Sequence, residues 1–305
     1  MCIDEDMTLS KIWPMYEITG EEFRNSDWIV YKAVRSDIDD DCESLIWSAS
    51  FSQDTGGEHS EQSVAYRLKL YRRGLRFLNM LRGYTNILCC EDYSICRDDS
   101  QSHVHHIYVR TGMAKCLPLR LQMGAFREED IIDLGIDITR AMEVCMKKGI
   151  VHQNIKPDKI FIDPDGNYRL GCFENAFYEG EQTSDMIHGT PLYMAPEEIQ
   201  MRMERYDLEN TSKADIYSLG MVMYYLANDR KIPFVTRNRL LTQIEMRNAL
   251  ETRLTGRTIP PLQGIHPELC RIILKACAFR KEDRFESTEE MRSELLCLKN
   301  KARNT

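Results

Sequence analysis

The stretch that most constrains this chain lies in its middle, HQNIKPDKIFIDPDGNYRLGCFENA, residues His152 to Ala176. A histidine expected to be buried leads into a polar loop. A short strand at Lys159–Ile162, a turn at Asp163–Asn167 and a second strand running into another loop then follow. The segment comes directly after an amphipathic helix that carries Ile131, Leu134, Ile138, Met142 and Cys145 at helical spacing, entered through the acidic turn Glu128–Asp130. Any fold for this chain has to set that loop and its two short strands at the end of a long helix.

Ahead of this segment the pattern is that of a sheet. Trp28–Val34 and Ser44–Phe51 alternate as strands, and the stretches 36–43 and 53–61 read as loops. From Val64, the apolar residues Val64, Leu68, Tyr71, Leu75 and Leu78 recur at spacings of four and three, the mark of a long amphipathic helix. Helices dominate afterwards. One carries Ile216, Leu219, Met223 and Leu226, and Pro267 opens another with Leu269, Ile272, Ile273 and Ala276 on one face. Ser287 with Glu290 makes a capping box before Met291, Leu295 and Leu298. Strands early and helices late predict an α+β architecture of two lobes, a small β-rich N-lobe over 14–116 and a larger helical C-lobe over 117–300.

Composition narrows the class further. The hydrophobic share of 43% is ample for a packed core, and a formal net charge of −8 argues against nonspecific nucleic-acid binding, which needs clustered cations. Eleven cysteines are scattered without a CxxC pair, so they read as reduced thiols rather than a disulfide framework. The acidic opening MCIDEDMTLS is unlike a signal peptide, and no apolar run approaches the ~20 residues that span a bilayer. A cytoplasmic protein without a membrane segment is expected.

The middle segment resembles the catalytic loop and magnesium loop of protein kinases, which read H-R-D-x-K-P-x-N and then D-F-G. His188–Glu197 (HGTPLYMAPE) resembles the end of their activation segment, Asp215–Gly220 (DIYSLG) the start of the central helix of the large lobe, and Asp283-Arg284-Phe285 the site of the arginine that pairs with the A-P-E glutamate. The resemblance runs from Tyr16 to about Leu298 and is to the bacterial Ser/Thr kinase kind, in which Ile12–Tyr16 precedes the first strand.

What the resemblance implies for phosphoryl transfer is a site with its usual charges replaced. Phe23, Asn25 and Trp28 fall at the three glycine positions of the phosphate-covering loop, where side chains obstruct backbone approach. Trp47 stands for the strand lysine, Leu45 for the small residue above the adenine, and Gly74 for the helix glutamate. In the catalytic loop Gln153 replaces the arginine, and Asn154 the aspartate that accepts the substrate proton, which an amide cannot do. Lys159 replaces the asparagine of the second magnesium. Cys172 and Glu174 occupy the ends of the D-F-G triplet, where a thiol is a poor ligand for magnesium and Glu174 is expected to point elsewhere. Structural positions survive: His152 and Phe173 match members of the apolar stack linking the lobes, with Leu78 as a third. Glu197 and Arg284 would pair, and Asp215 would cap the catalytic loop. Lys156 is left without a partner acid and is expected to bond Thr190 or a backbone carbonyl.

On this count the chain is expected to be a pseudokinase, not an enzyme, with no cofactor and no binding of Mg·ATP. It would act as a scaffold on a protein partner such as an active kinase or its substrate. Two other readings are a nucleotide-binding enzyme of unconventional chemistry and an ATP sensor. His103, His105 and His106 fall in a polar turn and are not expected to hold a metal. Thr183, Ser184 and Thr190 offer hydroxyls for phosphorylation, and Cys172 is expected to be a buried small side chain rather than a redox thiol sensitised by Lys159.

Overall fold

The computed structural model describes residues 3–24, 28–37, 42–52, 60–97, 104–124, 126–181, 191–204, 212–235 and 242–303. They form two compact units, Met1–Gly83 with Leu88–Ala114, and Tyr84–Ile87 with Lys115–Thr305. The first is β-rich and the second mainly helical, an α+β composition.

The first unit contains α1 (Ile3–Ile12), β1 (Tyr16–Arg24), β2 (Ile29–Arg35), β3 (Glu43–Ser52), α2 (Ser60–Met80), β4 (Cys90–Arg97) and β5 (Val104–Gly112). The strands make one antiparallel sheet in the order β1-β2-β3-β5-β4. Both faces of its centre are buried. On β3, Leu45, Trp47, Ala49 and Phe51 share one face by strand alternation, and Tyr71 of α2 packs on Phe51 at 5.1 Å between ring centres. The other face, with Tyr31, Ala33, Ile46 and Tyr108, is covered by Leu9 and Trp13.

The helix α1 was not expected, because IDEDMTLSKI offers little apolar periodicity. What holds it is Leu9 and the Trp13 that follows it: Trp13 is 7% exposed, its amide donates to Leu9 O at 2.8 Å, and its indole Nε1 donates to Asp92 Oδ2 at 2.8 Å. Arg110 lies over Trp13 and Tyr16, donates to the Tyr16 hydroxyl at 2.7 Å and pairs with Glu91. His105 and His106 lie within β5 rather than in a turn, and His106 Nδ1 meets Ser50 Oγ at 2.9 Å, while His103 lies outside the described residues.

The second unit runs β6 (Lys115–Cys116), α3 (Leu117–Gln122), α4 (Glu128–Lys147), β7 (Ile150–Val151), β8 (Ile160–Ile162), β9 (Tyr168–Leu170), β10 (Phe177–Tyr178), α5 (Pro196–Glu204), α6 (Ser212–Ala227), α7 (Gln243–Leu254), α8 (Pro267–Ala276) and α9 (Thr288–Arg303). Helix α4 is its axis. At Gly135 a Cβ would come within 2.8 Å of Leu295 and 3.0 Å of Met223, so the missing side chain lets α9 and α6 close on α4. Asp137 of α4 accepts from Tyr168 N at 3.0 Å and thereby fixes the β8–β9 hairpin on the helix. The hairpin turn closes on itself, with Asn167 N donating to Asp163 Oδ1 at 2.8 Å. Lys159 belongs to a 3-10 turn, Pro157–Lys159, rather than to β8.

Helix α7 escaped the periodicity because only Ala249 and Arg253 are buried along it, and a capping box of Thr242 and Glu245 starts it. At α9, Glu290 N donates to Ser287 Oγ at 3.1 Å, but the Glu290 carboxylate accepts from Glu286 N, one residue beyond the amide that a reciprocal box would use. No helix among the described residues is long and apolar enough to cross a membrane.

The packing of Trp13 gives a direct test. Trp13→Ala removes a buried indole and its bond to Asp92, and is expected to lower the stability of the first unit by about 3–5 kcal/mol in urea unfolding. A loss below about 1 kcal/mol would mean that α1 is not part of the folded core.

Candidate functional site

The candidate site is built on the loop between β7 and β8. Asp215, in the first turn of α6, is 4% exposed and accepts backbone hydrogen bonds from His152 at 2.7 Å and Gln153 at 2.8 Å. His152 makes a second tie. Its Nδ1 accepts from Asn154 N at 3.3 Å, which leaves Nε2–H to donate to Gly171 O at 3.0 Å. That arrangement needs a neutral imidazole, and burial lowers its pKa to about 4. Phe173 stands edge-on to the His152 ring at 4.7 Å. Gly171 N donates to Lys159 O at 2.9 Å, so the loop and the segment after β9 are bound to each other through both histidine and backbone.

The substituted residues are joined in the same way. Lys159 and Glu174 form an ion pair, with side chains only 5% and 13% exposed. Glu174 therefore turns into the site, contrary to the expectation that it points elsewhere; the 3-10 turn Phe173–Asn175 swings its carboxylate onto the ammonium. Asn154 Nδ2 donates to Asn175 Oδ1 at 3.1 Å. Cys172 has a left-handed backbone, φ 62°, and burial pushes its thiol up to about 12 despite Lys159. The Lys159 charge is taken up by Glu174, and desolvation dominates. Lys156 also has an acid neighbour after all, Asp158 at 3.6 Å. Gln153 sits at φ 61°, with both polar atoms of its buried amide unpartnered among the described residues.

Beyond the loop, Arg284 grips Glu197 with two bonds of 2.7 Å and also donates to Lys213 O at 2.9 Å and Ala278 O at 2.9 Å. Its side chain is fully buried and Glu197 is mostly so, and removing one partner of such a pair costs about 3–5 kcal/mol. Arg253 is a residue that sequence reasoning missed. From the polar helix α7 it donates to Leu192 O and Met194 O at 2.5 Å each and so fixes the segment that leads into α5. Nothing in the pattern of a mostly exposed helix marks one arginine as buried. Thr183, Ser184 and Thr190 lie outside the described residues.

In the first unit, Trp47 sits at the centre of β3 opposite Val30 and Val109. Its Nε1 donates to Thr111 Oγ1 at 3.0 Å, and Trp28 meets it edge-on at 6.3 Å. Leu45 is buried opposite Thr111, Phe23 is half-buried opposite Val30, and Gly74 and Leu78 lie on the buried face of α2. Asn25 lies outside the described residues.

Comparison with known proteins gives this geometry a context. A family model described as protein kinase domain matches residues 58–296. A protein of Acanthamoeba polyphaga mimivirus named as a serine/threonine-protein kinase is 30% identical over 202 residues, 63% of this chain and 67% of that protein. CBL-interacting protein kinase 5 of Oryza sativa subsp. japonica is 28% identical over 180 residues, 55% of this chain and 37% of that protein. Serine/threonine-protein kinase PknB of Mycobacterium leprae is 28% identical over 180 residues, 57% of this chain but only 27% of that protein.

These matches overturn the expectation of a pseudokinase scaffold that is not an enzyme. The family and the relatives' names point to a transferase, at 25–30% identity. Nor do they support the expected exclusion of Mg·ATP. The earlier count treated each replaced residue as a lost function. The structure shows replaced residues bonded to one another, Lys159 to Glu174 and Asn154 to Asn175, so they form a set rather than a series of gaps.

Two neighbouring groups of the loop titrate in opposite senses. Burial pushes Asp215 up to about 7 against the pull of its two backbone donors. From about pH 4 to that value the folded chain keeps a proton that the unfolded chain has released, so Asp215 lowers stability as pH rises. His152 does the reverse: below about pH 6.5 the unfolded chain takes up a proton that the folded chain refuses, and stability falls as pH drops. Asp215→Asn removes the first slope alone. The stability of the native chain minus that of D215N, from urea unfolding, should decline by about 1.4 kcal/mol per pH unit from about pH 4 to 7. A flat difference would mean that Asp215 titrates as an ordinary carboxylate.

Proposed function

Because the chain belongs to the protein kinase domain family, we propose that it is a protein serine/threonine kinase, which passes the terminal phosphoryl group of a nucleoside triphosphate to a hydroxyl of a protein. The observation that carries this is the family match over 58–296, together with relatives named as serine/threonine kinases. In this reading the lobes span 14–116 and 117–300, and the loop His152–Lys159 is the catalytic loop. The protein partner is the substrate. The ten described cysteines are all free thiols, which supports a reducing compartment such as the cytoplasm.

The chemistry asks for charge neutralisation and alignment more than for covalent work. A bond forms from the substrate hydroxyl oxygen to the terminal phosphorus, the bond to the bridging oxygen breaks, and the nucleoside diphosphate leaves with that electron pair. Asn154 cannot take the hydroxyl proton. Its amide oxygen orients the hydroxyl, and the proton passes to an oxygen of the transferred group, a late transfer that suits a loose transition state. Asp215, His152 and Arg284 act through the backbone, as positioning residues. Phe173 and Leu78 take the places of apolar structural residues in the family pattern, Lys156 belongs to the loop, and Thr190 takes the place of the activation-segment threonine of that pattern. Phe23, Asn25, Trp28, Trp47 and Gly74 are the positions where the phosphate-covering loop, the strand lysine and its glutamate are replaced.

Magnesium, which the family implies, fits these residues badly. Hard divalent ions take oxygen ligands, whereas the corresponding positions here present the Lys159 ammonium, the neutral Cys172 thiol and a Glu174 carboxylate already paired. No group of three or more candidate ligands exists among the described residues. No step is routed through a metal.

The full chain incubated with γ-labelled ATP and a mixed protein substrate should transfer label to serine or threonine, read by phosphoamino-acid analysis. Asp215→Ala should slow this by at least about tenfold, since the loop loses its anchor. No transfer with magnesium, with manganese or without metal would overturn the reading.

A further inference from the structure

Acidic residues outnumber basic ones over the whole chain, 48 to 40, yet none occurs between Glu61 and Glu91. That stretch holds Arg67, Lys69, Arg72, Arg73, Arg76 and Arg82, and all but the last lie on α2. The helix sorts them by its own period. Leu68, Leu75 and Leu78 are buried, whereas Lys69, Arg72 and Arg76 are exposed, and spacings of three and four set these cations in one line over about 10 Å of axis. Arg67 and Arg73 lie over rings, at 4.3 Å from Phe51 and 5.7 Å from Phe77. Lys69, Arg72 and Arg76 have no hydrogen bond or ion pair among the described residues.

On the helices of the second unit, surface cations meet acids of the same chain. Lys147 meets Glu143, Arg247 meets Glu251, and Arg271 meets both Glu268 and Glu294. On α2 the neighbours at three and four positions are instead like charges, Lys69 with Arg72 and Arg73, and Arg72 with Arg76, which weakens a helix. The positive field reaches the sheet beside it. Burial holds His105, at the start of β5, below the ordinary histidine range, and the charges of Arg97 and Arg72 add to that. A line of cations that repels itself is relieved by an anion brought from outside. A chain of net charge −8 is repelled as a whole by nucleic acid and by an anionic bilayer, and both ask for a broader field of cations. One line on one helix face matches one line of carboxylates.

We propose that the exposed face of α2 is a docking surface for an acidic segment of another protein, whose carboxylates pair with Lys69, Arg72 and Arg76. This goes beyond the kinase reading and does not depend on it.

The test titrates the full chain into fluorescein-labelled octaglutamate and reads fluorescence anisotropy. In about 50 mM NaCl the Kd should lie below about 100 μM, and in about 300 mM NaCl it should rise at least about tenfold, because exposed charge pairs are screened. A triple variant, Lys69→Gln with Arg72→Gln and Arg76→Gln, removes the line with residues of good helix propensity and should bind at least about tenfold more weakly at the lower salt. A control that removes as much charge elsewhere, Lys147→Gln with Arg247→Gln and Arg271→Gln, should bind within about twofold of the native chain. If the triple variant fails to fold by circular dichroism, Arg72→Gln alone decides, with an expected loss of about threefold. No binding, undiminished binding by the folded triple variant, or an equal loss in the control overturns the proposal. So does binding of an oligothymidine of equal length, or of phosphatidylserine vesicles, at least about tenfold tighter than that of octaglutamate, since the face would then serve a different anion.

Discussion

The second unit is organised around one buried carboxylate. Asp215 reaches from the first turn of α6 to two successive backbone amides, at His152 and Gln153. Two N–H groups of a loop cannot be left unsatisfied in a dry interior without a cost of about 1–3 kcal/mol each. With those amides fixed, the His152 ring has one place to go, over Phe173 and under Gly171. The segment after β9 is thereby docked on the loop, and Lys159, Cys172 and Glu174 are brought together. A strained Gln153 backbone and a buried amide without a partner among the described residues accompany this arrangement, as local strain often does where a loop is held for function.

Around that anchor the unit depends on close helix approach and on arginines acting as multiple donors. Gly135 allows α4 to meet α6 and α9, and Arg284 and Arg253 satisfy carbonyls that no regular element would reach. A planar guanidinium with five donors suits such irregular backbone, and a lysine in either place would satisfy fewer carbonyls.

Much of the fold was legible where periodicity or turn chemistry is strong. The apolar stripes of α2, α4 and α8 announced themselves, and the loop from His152 to Ala176 carried enough polar punctuation to be read as strand, turn and strand. Helix α1 and Arg253 were not legible, since a helix held by one leucine and a following tryptophan has no stripe, and a single buried arginine leaves no pattern. At the site, the substitutions were visible but their meaning was not. A sequence shows Lys159 and Glu174 fifteen positions apart and cannot show that a left-handed Cys172 turns them into partners. Reading each replaced residue alone led to an inactive scaffold, a conclusion the relatives correct.

The clasp of α1 also bears on the order in which the chain can acquire its structure. Trp13 finds its indole partner 79 positions later, at Asp92, and its sheet face is completed by Tyr108 still further on. During synthesis the first helix has no surface to rest on until strands from well beyond α2 have emerged. Contacts of such separation are slow to form because the intervening chain must be closed into a loop first. That face of the sheet is therefore sealed late, by a helix that precedes every one of its strands.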